Sequence, residues 1–455
     1  MAICVIGGGL AGSEAAWQIA KRGIEVDLYE MKPALYSPAH NLPTLAEMVC
    51  SNSLKAKTLD NASGLLKEEM RRLGSLILDC ADENSVPAGG ALAVDRERFS
   101  QSVTKKIEDN PLINIIRQEV TSIGEMVSKY QAVIIASGPL TSDSLAKELQ
   151  GKGLALLNFF DAAAPIIMED SIDKSKVFKA ARYGKGTDDY INCPMNRQQY
   201  MEFYDALIHA KRATVHDFDN SCVYEGCMPV EVMADRGIDT LRFGPLKPVG
   251  LNNPETGEEY YAVCQLRQDN SEGTMYNMVG FQTRLTFGEQ KRVFGMIPGL
   301  ENAEFVRYGV MHRNTYINAP GTLDETYMVR NSGYDVPLFF AGQITGVEGY
   351  IESASSGLVA GINAAKIVKN EEKFELPAST MIGALANYSA NYQGSDYQPM
   401  GANFGIVKHQ IGSTVIINGK KKKLGKTEKK QLISESALNI LSTILDNREG
   451  HINEE

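Results

Sequence analysis

Residues 2–30, AICVIGGGLAGSEAAWQIAKRGIEVDLYE, decide the fold. Residues 2–6 form a short apolar run rich in β-branched side chains, which predicts a buried parallel strand. This run leads directly into the G-x-G-x-x-G spacing formed by Gly7, Gly9 and Gly12. In this spacing the first glycine permits a tight turn, the second lets backbone approach a pyrophosphate, and the third lets a helix pack close to the strand. The stretch therefore predicts a strand, a phosphate-binding turn and a helix in that order.

The residues after the glycines complete this motif. A helix from Ser13 to Lys21 would direct its first N–H groups and its dipole at the phosphates. A second strand over residues 24–29 ends at Glu30, whose carboxylate is placed to bind ribose hydroxyls. A glycine-rich turn in an α/β fold without a nucleotide stays open as the alternative. We predict an adenine-dinucleotide site, and the residues assigned to it here are Gly7, Gly8, Gly9, Leu10, Ala11, Gly12 and Glu30.

Length and composition limit the class of protein. A chain of 455 residues is too long for one ordinary core, so we expect two or three domains. No apolar run approaches the roughly 20 residues that span a bilayer, and the first strand begins too early to leave room for a signal peptide. Seven scattered cysteines suit a reducing cytosol, so we expect a cytoplasmic protein that does not enter a membrane. The net charge of −10 argues against a protein coated in basic surface but permits a local basic groove.

Two later segments indicate which dinucleotide is bound. Residues 130–138, YQAVIIASG, predict a second buried strand that ends in small residues, as in flavoproteins with two dinucleotide-type folds. Residues 336–366 predict a strand, a glycine-rich loop and a helix whose small residues let it approach another backbone closely. Gly342 and Gln343, after that strand, join the predicted cofactor site. An NAD-only dehydrogenase does not need this last segment, so FAD is favoured, and NADPH or NADH would bind as reductant without a fingerprint of its own.

The amino-acid composition of the chain changes between about residues 190 and 315, where aromatic residues, prolines and turn signals are frequent. We therefore expect an α/β fold in which a Rossmann-type FAD-binding domain, similar to the two-dinucleotide-fold flavoproteins, carries a smaller inserted α+β domain. The FAD-binding domain is assigned to residues 1–190 and 316–455, and the inserted domain to residues 191–315. Within the first, apolar spacing predicts helices over residues 62–78 and 428–445.

Cys50 is the first candidate for chemistry. It lies in the polar stretch EMVCSNSLKAK, with Lys55 and Lys57 close behind it. Positive neighbours and partial exposure favour the thiolate, which is the nucleophilic form of cysteine. A small buried hydrophobic residue is an equally good interpretation from the residues alone.

Cys227 is the second candidate, in the stretch VYEGCMPVE. Carboxylates such as Glu225 and Glu231 would raise its pKa if they are close in space, and this suits proton transfer better than a standing thiolate. A buried cysteine in a turn is the alternative. The chain contains no C-x-x-C pair and its six histidines show no ligand spacing, so we expect neither a dithiol reductase site nor a metal site.

Two stretches could contact nucleic acid. One is the lysine cluster of residues 420–430, for which a solvated charged segment is the simpler interpretation. The other is residues 311–316, MHRNTY, where a cation, an amide and an aromatic ring could hold an extruded base. An ordinary strand end with a salt bridge would look the same.

Several motifs together resemble one family, the folate- and FAD-dependent tRNA (uracil-5-)-methyltransferases called TrmFO, relatives of the GidA tRNA-modifying flavoproteins. The resemblance covers residues 2 to about 405, and its cysteine motifs are the specific part. It is carried by GGGLAGSEAAWQIA at 7–20, LAEMVCSNSLKA at 45–56, YEGCMPVEVMA at 224–234, MHRNTYIN at 311–318, AGQITGVEGYIESASSGL at 341–358 and PMGANFG at 399–405.

The resemblance implies a reaction in which a thiolate adds to C6 of uracil and makes C5 a nucleophile toward a one-carbon unit from 5,10-methylenetetrahydrofolate. It implies that Cys50 and Cys227 are the catalytic pair, that reduced FAD supplies a hydride, and that NADPH or NADH recharges the flavin. By the reasoning above Cys50 is the nucleophile and Cys227 the general base, although the reverse assignment stays open. The family implies tRNA as the partner, at a T-loop uridine.

The chain departs from the family pattern in two places, one beside the predicted cofactor loop and one in the segment expected to dock RNA. Gly401 stands where the family usually has asparagine, and the sequence after residue 405 does not match the family pattern. Some members of the family modify a ribosomal RNA uridine, so that substrate is an alternative to tRNA. A small-molecule FAD oxidoreductase with structural cysteines, and a flavin-binding RNA partner without catalysis, are the alternatives from other classes.

Overall fold

The structure is a computed structural model that describes residues 2–151, 154, 156–184, 187–213, 228–253, 256–412, 414–417 and 420–452. Its strands are β1 Ala2–Ile6, β2 Glu25–Tyr29, β3 Ser53–Ala56, β4 Ser85–Val86, β5 Ala91–Val94, β6 Ile113–Ile116, β7 Val133–Ile135, β8 Leu156–Ala162, β9 Ile166–Met168, β10 Phe178–Lys179, β11 Ile191–Met195, β12 Ala262–Gln268, β13 Met275–Met278, β14 Phe305–Arg307, β15 Met311–Ile317, β16 Leu338–Phe340, β17 Thr414–Ile417 and β18 Lys420–Lys423. Its helices are α1 Leu10–Ala20, α2 Ala62–Arg72, α3 Leu76–Glu83, α4 Arg96–Glu108, α5 Ile123–Val127, α6 Asp143–Gly151, α7 Arg197–Ile208, α8 Val230–Asp235, α9 Thr240–Phe243, α10 Phe287–Phe294, α11 Tyr350–Val368, α12 Met381–Asn391 and α13 Lys426–Ile452.

A parallel sheet with the order β16-β7-β1-β2-β6 forms the centre of the molecule. Strands β1, β7 and β16 are apolar runs buried on both faces, as expected for parallel strands covered by helices. The predicted α/β fold with a Rossmann-type sheet is confirmed. The segments predicted at residues 2–6, 24–29, 130–138 and 336–340 provide β1, β2, β7 and β16, which are neighbours in this sheet.

The backbones of helices α1 and α11 approach each other closely. A Cβ atom built on Gly357 would lie 2.1 Å from the Ala11 carbonyl oxygen, and one on Gly361 would lie 2.6 Å from the Ala15 carbonyl oxygen. The close approach predicted from the small residues of α11 is therefore present, and its partner is the helix that follows the glycine turn.

The single helix predicted over residues 62–78 is wrong, because the chain forms α2 and α3 with a break between them. Gly74 adopts a left-handed φ of +72°, which ends the first helix. The Ser75 hydroxyl oxygen then accepts the Leu78 N–H and caps the second helix. Apolar spacing runs across this break because both helices bury one face in the same core.

A second, antiparallel sheet has the order β10-β11-β12-β13-β9-β14 and a core of its own. Its strands come from residues 166–307, so β9 and β10 precede residue 191, the predicted start of the inserted domain. The strand pair β8–β15 carries the chain from the first sheet to the second and back. The division into two domains stays a prediction.

The carboxyl-terminal part of the chain returns to the first core. Helix α13 contains the predicted helix of residues 428–445 and buries Ile433, Ala437 and Leu441 against that core. Arg72 of α2 donates to the Leu438 carbonyl oxygen at 3.0 Å and fixes the contact between α2 and α13. The first part of the lysine cluster, Lys420–Lys423, forms β18, which pairs antiparallel with β17, and the later lysines lie in the first turns of α13.

Candidate active site

A cleft follows the carboxyl edge of the parallel sheet. Gly7, Glu30 and Ala136 come directly after β1, β2 and β7 and line it, together with Gly342 two residues beyond β16. Ligands of open α/β sheets bind at this edge. The cleft has a volume of about 360 Å³, within the range of roughly 300–1,000 Å³ that ligand pockets occupy.

The glycine turn forms one wall of the cleft. Gly7 has a φ of +103°, and a Cβ on Gly12 would lie 1.8 Å from the Gly7 carbonyl oxygen, so neither position accepts a side chain. A Cβ on Gly9 would meet nothing within 4 Å, because this residue faces the open cleft. Leu10 and Ala11 are in the first turn of α1, where backbone N–H groups have no acceptor within the helix. The turn thus offers amide donors and empty space, which fits a phosphate group.

Glu30 is buried beside this turn. Its carboxylate accepts the Gly8 N–H at 2.9 Å and the Lys32 N–H at 3.0 Å. A Cβ on Gly8 would lie 2.8 Å from the same carboxylate, so the absence of a side chain at Gly8 allows the contact. Each carboxylate oxygen can accept a further hydrogen bond, which fits the hydroxyls of a ribose.

The loop before α11 forms the opposite wall. Gly342 has a φ of +88°, and its N–H donates to the Ser356 hydroxyl oxygen at 2.7 Å. Gln343 lines the cleft and donates its side-chain amide to the carboxylate of Glu348. All predicted cofactor residues except Gly12, which packs behind Gly7, therefore line one cleft, although they come from opposite ends of the chain.

Cys50 lines the same cleft and is partly buried. Its N–H donates to the Tyr350 hydroxyl oxygen at 2.7 Å, and its sulfur lies 3.6 Å from the Ala162 carbonyl oxygen. Burial, and next the neighbouring Cys50, raise the pKa of the Tyr350 hydroxyl, so this group stays protonated. The Cys50 backbone is thus tied to the first residue of α11, and the sulfur faces the cleft.

The cations around Cys50 are arginines. Arg96 of α4 and Arg307 of β14 both interact electrostatically with the Cys50 sulfur. Arg96 is also paired with Asp269 at 2.8 Å, while burial lowers the pKa of the Arg307 guanidinium. These two arginines therefore place positive charge near the Cys50 end of the cleft.

Lys55, which the sequence suggested as the positive neighbour of Cys50, is engaged elsewhere. Its ammonium group donates to the Glu352 carboxylate at 2.7 Å and to the Glu348 carbonyl oxygen at 3.3 Å. Lys55 therefore balances buried acidic charge on the α11 side of the cleft, and the electrostatic contacts described for Cys50 come from the arginines.

Glu348 is a cleft residue that the sequence analysis did not single out. It is buried, and this burial, with the neighbouring Asp161 carboxylate, raises the pKa of Glu348. Both Glu348 and Tyr350 lie within the segment 341–358 that carries the family resemblance, which was the available signal. Arg96 and Arg307 offered no local signal, because they reach Cys50 only through the tertiary fold.

Cys227, the second predicted catalytic residue, lies outside the described residues. The described chain resumes at Met228, and the Val230 N–H donates to the Gln282 carbonyl oxygen at 2.7 Å. Gln282 lines the cleft, as does the buried Asn314 of β15. The side chains of His312 and Arg313 from the predicted base-binding stretch also lie outside the description.

The described ranges also bear on membrane and metal binding. Among these residues, no helix combines the length and the apolar character needed to cross a bilayer. Within the same part of the chain, no group of at least three His, Cys, Asp or Glu side chains could hold a metal ion.

Comparison with known proteins places this cleft in context. A family profile described as "Glucose inhibited division protein A" matches residues 2–372. The chain is 62% identical over 407 residues to the "Methylenetetrahydrofolate--tRNA-(uracil-5-)-methyltransferase TrmFO" of Acetivibrio thermocellus, covering 89% of this chain and 92% of the relative. It is 56% identical over 449 residues to the protein of the same name from Natranaerobius thermophilus, covering 98% of this chain and all of the relative.

A solved structure supports the fold. GidA of Aquifex aeolicus in its form II crystal superposes with a TM-score of 0.68 over 97% of this chain and 73% of that chain, at 18% identity. At this identity the likeness shows the fold alone.

Proposed function

The chain belongs to the TrmFO family of the GidA-related proteins, and on this premise we propose that it methylates C5 of a uridine in tRNA. The one-carbon donor is 5,10-methylenetetrahydrofolate and the product is 5-methyluridine in the T-loop. One observation carries the proposal: the glycine turn and Cys50 line a single cleft. A dinucleotide and a pyrimidine can therefore meet there.

The residues of the cleft fit FAD. The N–H groups of Gly9, Leu10 and Ala11 would bind the pyrophosphate, and Glu30 would accept from ribose hydroxyls. Gly342, whose N–H is held by Ser356, would lie beside the flavin ring. When bound and reduced by NADPH or NADH, the flavin supplies the hydride that converts a one-carbon unit to a methyl group.

Cys50 performs the step that activates the uracil. Its thiolate adds to C6 of the ring, so that C5 becomes an enolate carbon able to take the one-carbon unit. Arg96 and Arg307 place positive charge near the sulfur that makes this addition. The hydrogen bond from the Cys50 N–H to Tyr350 keeps the sulfur at the cleft side of its loop.

After C5 has taken the one-carbon unit, loss of the C5 proton and of tetrahydrofolate leaves a methylene group on C5, and the Cys50 thiol is expelled when this methylene is reduced. We assign removal of the C5 proton to Cys227. The resemblance carries this assignment. The attachment of Val230 to Gln282 at the cleft supports it, because Val230 follows Cys227 by three residues.

A methylation assay tests the proposal. Purified holoenzyme is incubated with a tRNA transcript, 5,10-methylenetetrahydrofolate and NADPH, and 5-methyluridine is measured by nucleoside mass spectrometry. Wild type and a Cys80→Ala control, which changes a buried cysteine of α3, should form the product. Cys50→Ala and Cys227→Ala should form none while they retain yellow flavin.

The alternatives give other results in the same assay. Formation of the product on a ribosomal RNA fragment but not on tRNA would assign ribosomal RNA as the substrate and leave the proposed reaction unchanged. NADPH turnover that does not depend on folate or RNA and is unchanged by both cysteine substitutions would contradict the proposal. It would favour a small-molecule FAD oxidoreductase.

A further inference from the structure

Three aromatic rings form a stack at the surface next to this cleft. The Phe305 and Tyr308 rings are 5.1 Å apart between centroids and inclined by 5°. The Tyr308 and Phe287 rings are 4.7 Å apart and inclined by 18°. Phe287, at the outer end, is 55% exposed. We call these residues the aromatic stack.

The local structure explains how the stack forms. The pairing of β14 with β9 shifts register between Phe305 and Arg307, and such a bulge redirects side chains. Phe305 packs against the second core, which fixes the inner end of the stack. Phe287 is the first residue of α10, so its ring stands at the start of a helix. The stack is therefore fixed at one end and open to solvent at the other.

The aromatic stack is continuous with the wall of the cleft. Tyr308 directly follows Arg307, which interacts electrostatically with Cys50. Two residues later, the Val310 carbonyl oxygen accepts the N–H of Ala163, a cleft residue, at 2.8 Å. The stack is therefore connected to a residue of the cleft wall through a short segment of chain and one backbone hydrogen bond.

Positive charge lies on the same side of α10. Lys291 is one helical turn after Phe287, so the two side chains share a face. Lys211 is adjacent, because its carbonyl oxygen accepts the Thr286 N–H at 3.1 Å. Both lysines are exposed, and within the described part of the chain neither forms an ion pair. Glu289 in the same turn is paired with Arg292.

We propose that the aromatic stack binds a nucleotide of the RNA substrate next to the uridine that enters the cleft. The base stacks on the open face of Phe287, and Lys211 and Lys291 contact the flanking phosphates. Aromatic rings beside cations are the arrangement that binds unpaired nucleic acid. One open ring face matches a base, whereas a stable protein interface needs roughly 800 Å² from each partner. This inference rests on the proposed function.

Binding of labelled tRNA transcript to the holoenzyme tests the inference. Phe287→Ala should weaken RNA affinity roughly 5- to 150-fold, the range for loss of one base–aromatic contact. Phe287→Trp should keep the affinity, because it retains a ring face. Phe243→Ala removes a phenylalanine that is 84% exposed on another helix and should change nothing. Flavin absorbance and unfolding temperature should equal wild type in all three variants.

Two results would overturn the inference. One is an RNA affinity of Phe287→Ala equal to that of wild type and Phe243→Ala, while methylation by the wild type proceeds; this leaves the proposed function intact. The other is self-association of the wild type that disappears in Phe287→Ala without a change in RNA affinity, which would assign the stack to a second copy of the chain. A wild type that neither binds nor methylates RNA would remove the proposed function itself.

Discussion

The Glu30 carboxylate is the residue on which the predicted cofactor site depends most directly. It accepts the N–H groups of Gly8 and Lys32 and lines the cleft. Glu30→Ala removes this anchor of the turn and the acceptor for ribose hydroxyls. We expect FAD binding to weaken by about 1.5–3 kcal/mol for each hydrogen bond lost to the charged group. Flavin retained after extensive dialysis measures the effect.

A matched control for Glu30→Ala is Glu25→Ala, at the exposed start of the same strand. This variant should keep its flavin. Equal flavin content in both variants would contradict the assignment of Glu30 to the ribose.

Single residues also show what the sequence could and could not predict. Glu30 and Cys50 were predictable, because a strand end and a polar loop are local features. The hydrogen bonds of Lys55 to Glu352 and Glu348 were not predictable, since proximity in sequence does not fix the direction of a side chain. Arg307 is far from Cys50 in the chain, so only the tertiary fold reveals that the two interact.

At the scale of elements, the contact between α1 and α11 sets the shape of the cleft. A Cβ on Gly357 would lie 2.1 Å from the Ala11 carbonyl oxygen, and this oxygen is backbone that cannot move alone. Gly357→Ala should therefore lower the free energy of unfolding by about 1–3 kcal/mol and weaken FAD binding, because α1 carries the phosphate-binding amides. Urea unfolding and flavin titration measure the two effects.

Gly288→Ala is the control for this substitution. Gly288 lies in α10, and an added Cβ there meets nothing within 4 Å. It should stabilise the protein by up to about 1 kcal/mol, because alanine favours the helix. If Gly357→Ala behaved in the same way, the close helix contact would be contradicted.

A second prediction at this scale concerns Glu69 of α2. Its carboxylate accepts the N–H groups of Met381 and Ile382 at 2.8 Å, at the start of α12. Burial raises the pKa of Glu69 from 4.5 to about 7. The folded state therefore holds this proton more tightly than the unfolded state, so its contribution to stability is full below about pH 4.5 and is lost as the pH rises to about 7.

Glu69→Gln should remove this pH dependence. Between pH 4.5 and 7 the free energy of unfolding of the variant should rise relative to wild type by on the order of 3 kcal/mol, since each pKa unit is worth about 1.4 kcal/mol. Urea unfolding at several pH values measures it, with Glu68→Gln in the partly exposed neighbouring position as control. Parallel pH profiles of wild type and Glu69→Gln would show that Glu69 does not titrate in this window.

Elements were predictable where one local pattern dominated. The strands and helix around the glycine turn follow from residues 2–30 alone. The break between α2 and α3 was missed because apolar spacing continues across Gly74 and Ser75. Gly74 is a stop signal for a helix and Ser75 is a start signal, but the apolar periodicity across them favoured one continuous helix.

At the scale of the whole molecule, the predicted family resemblance and α/β fold are confirmed, while the relation between the two sheets was not predictable. The Cys50 loop is held against the second sheet by Asn52, whose side-chain amide donates to the Gln268 carbonyl oxygen at 2.9 Å. Arg96 and Asp269 add a buried ion pair across the same junction. Because these contacts join residues far apart in the chain, no local pattern encodes them. These contacts place Cys50, which lies in the part of the chain that forms the parallel sheet, among side chains from the parts that form both sheets.

Trapping of a covalent protein–RNA adduct tests the role of Cys50 most directly. Wild type, Cys50→Ala and Cys80→Ala holoenzymes are incubated with a tRNA transcript containing 5-fluorouracil, 5,10-methylenetetrahydrofolate and NADPH, and are separated on a denaturing gel. Fluorine at C5 blocks the loss that releases the enzyme, so the thiol stays bound to C6. We predict a protein–RNA band for wild type and Cys80→Ala and none for Cys50→Ala. A band of equal intensity in Cys50→Ala would contradict the assignment of Cys50 as the nucleophile.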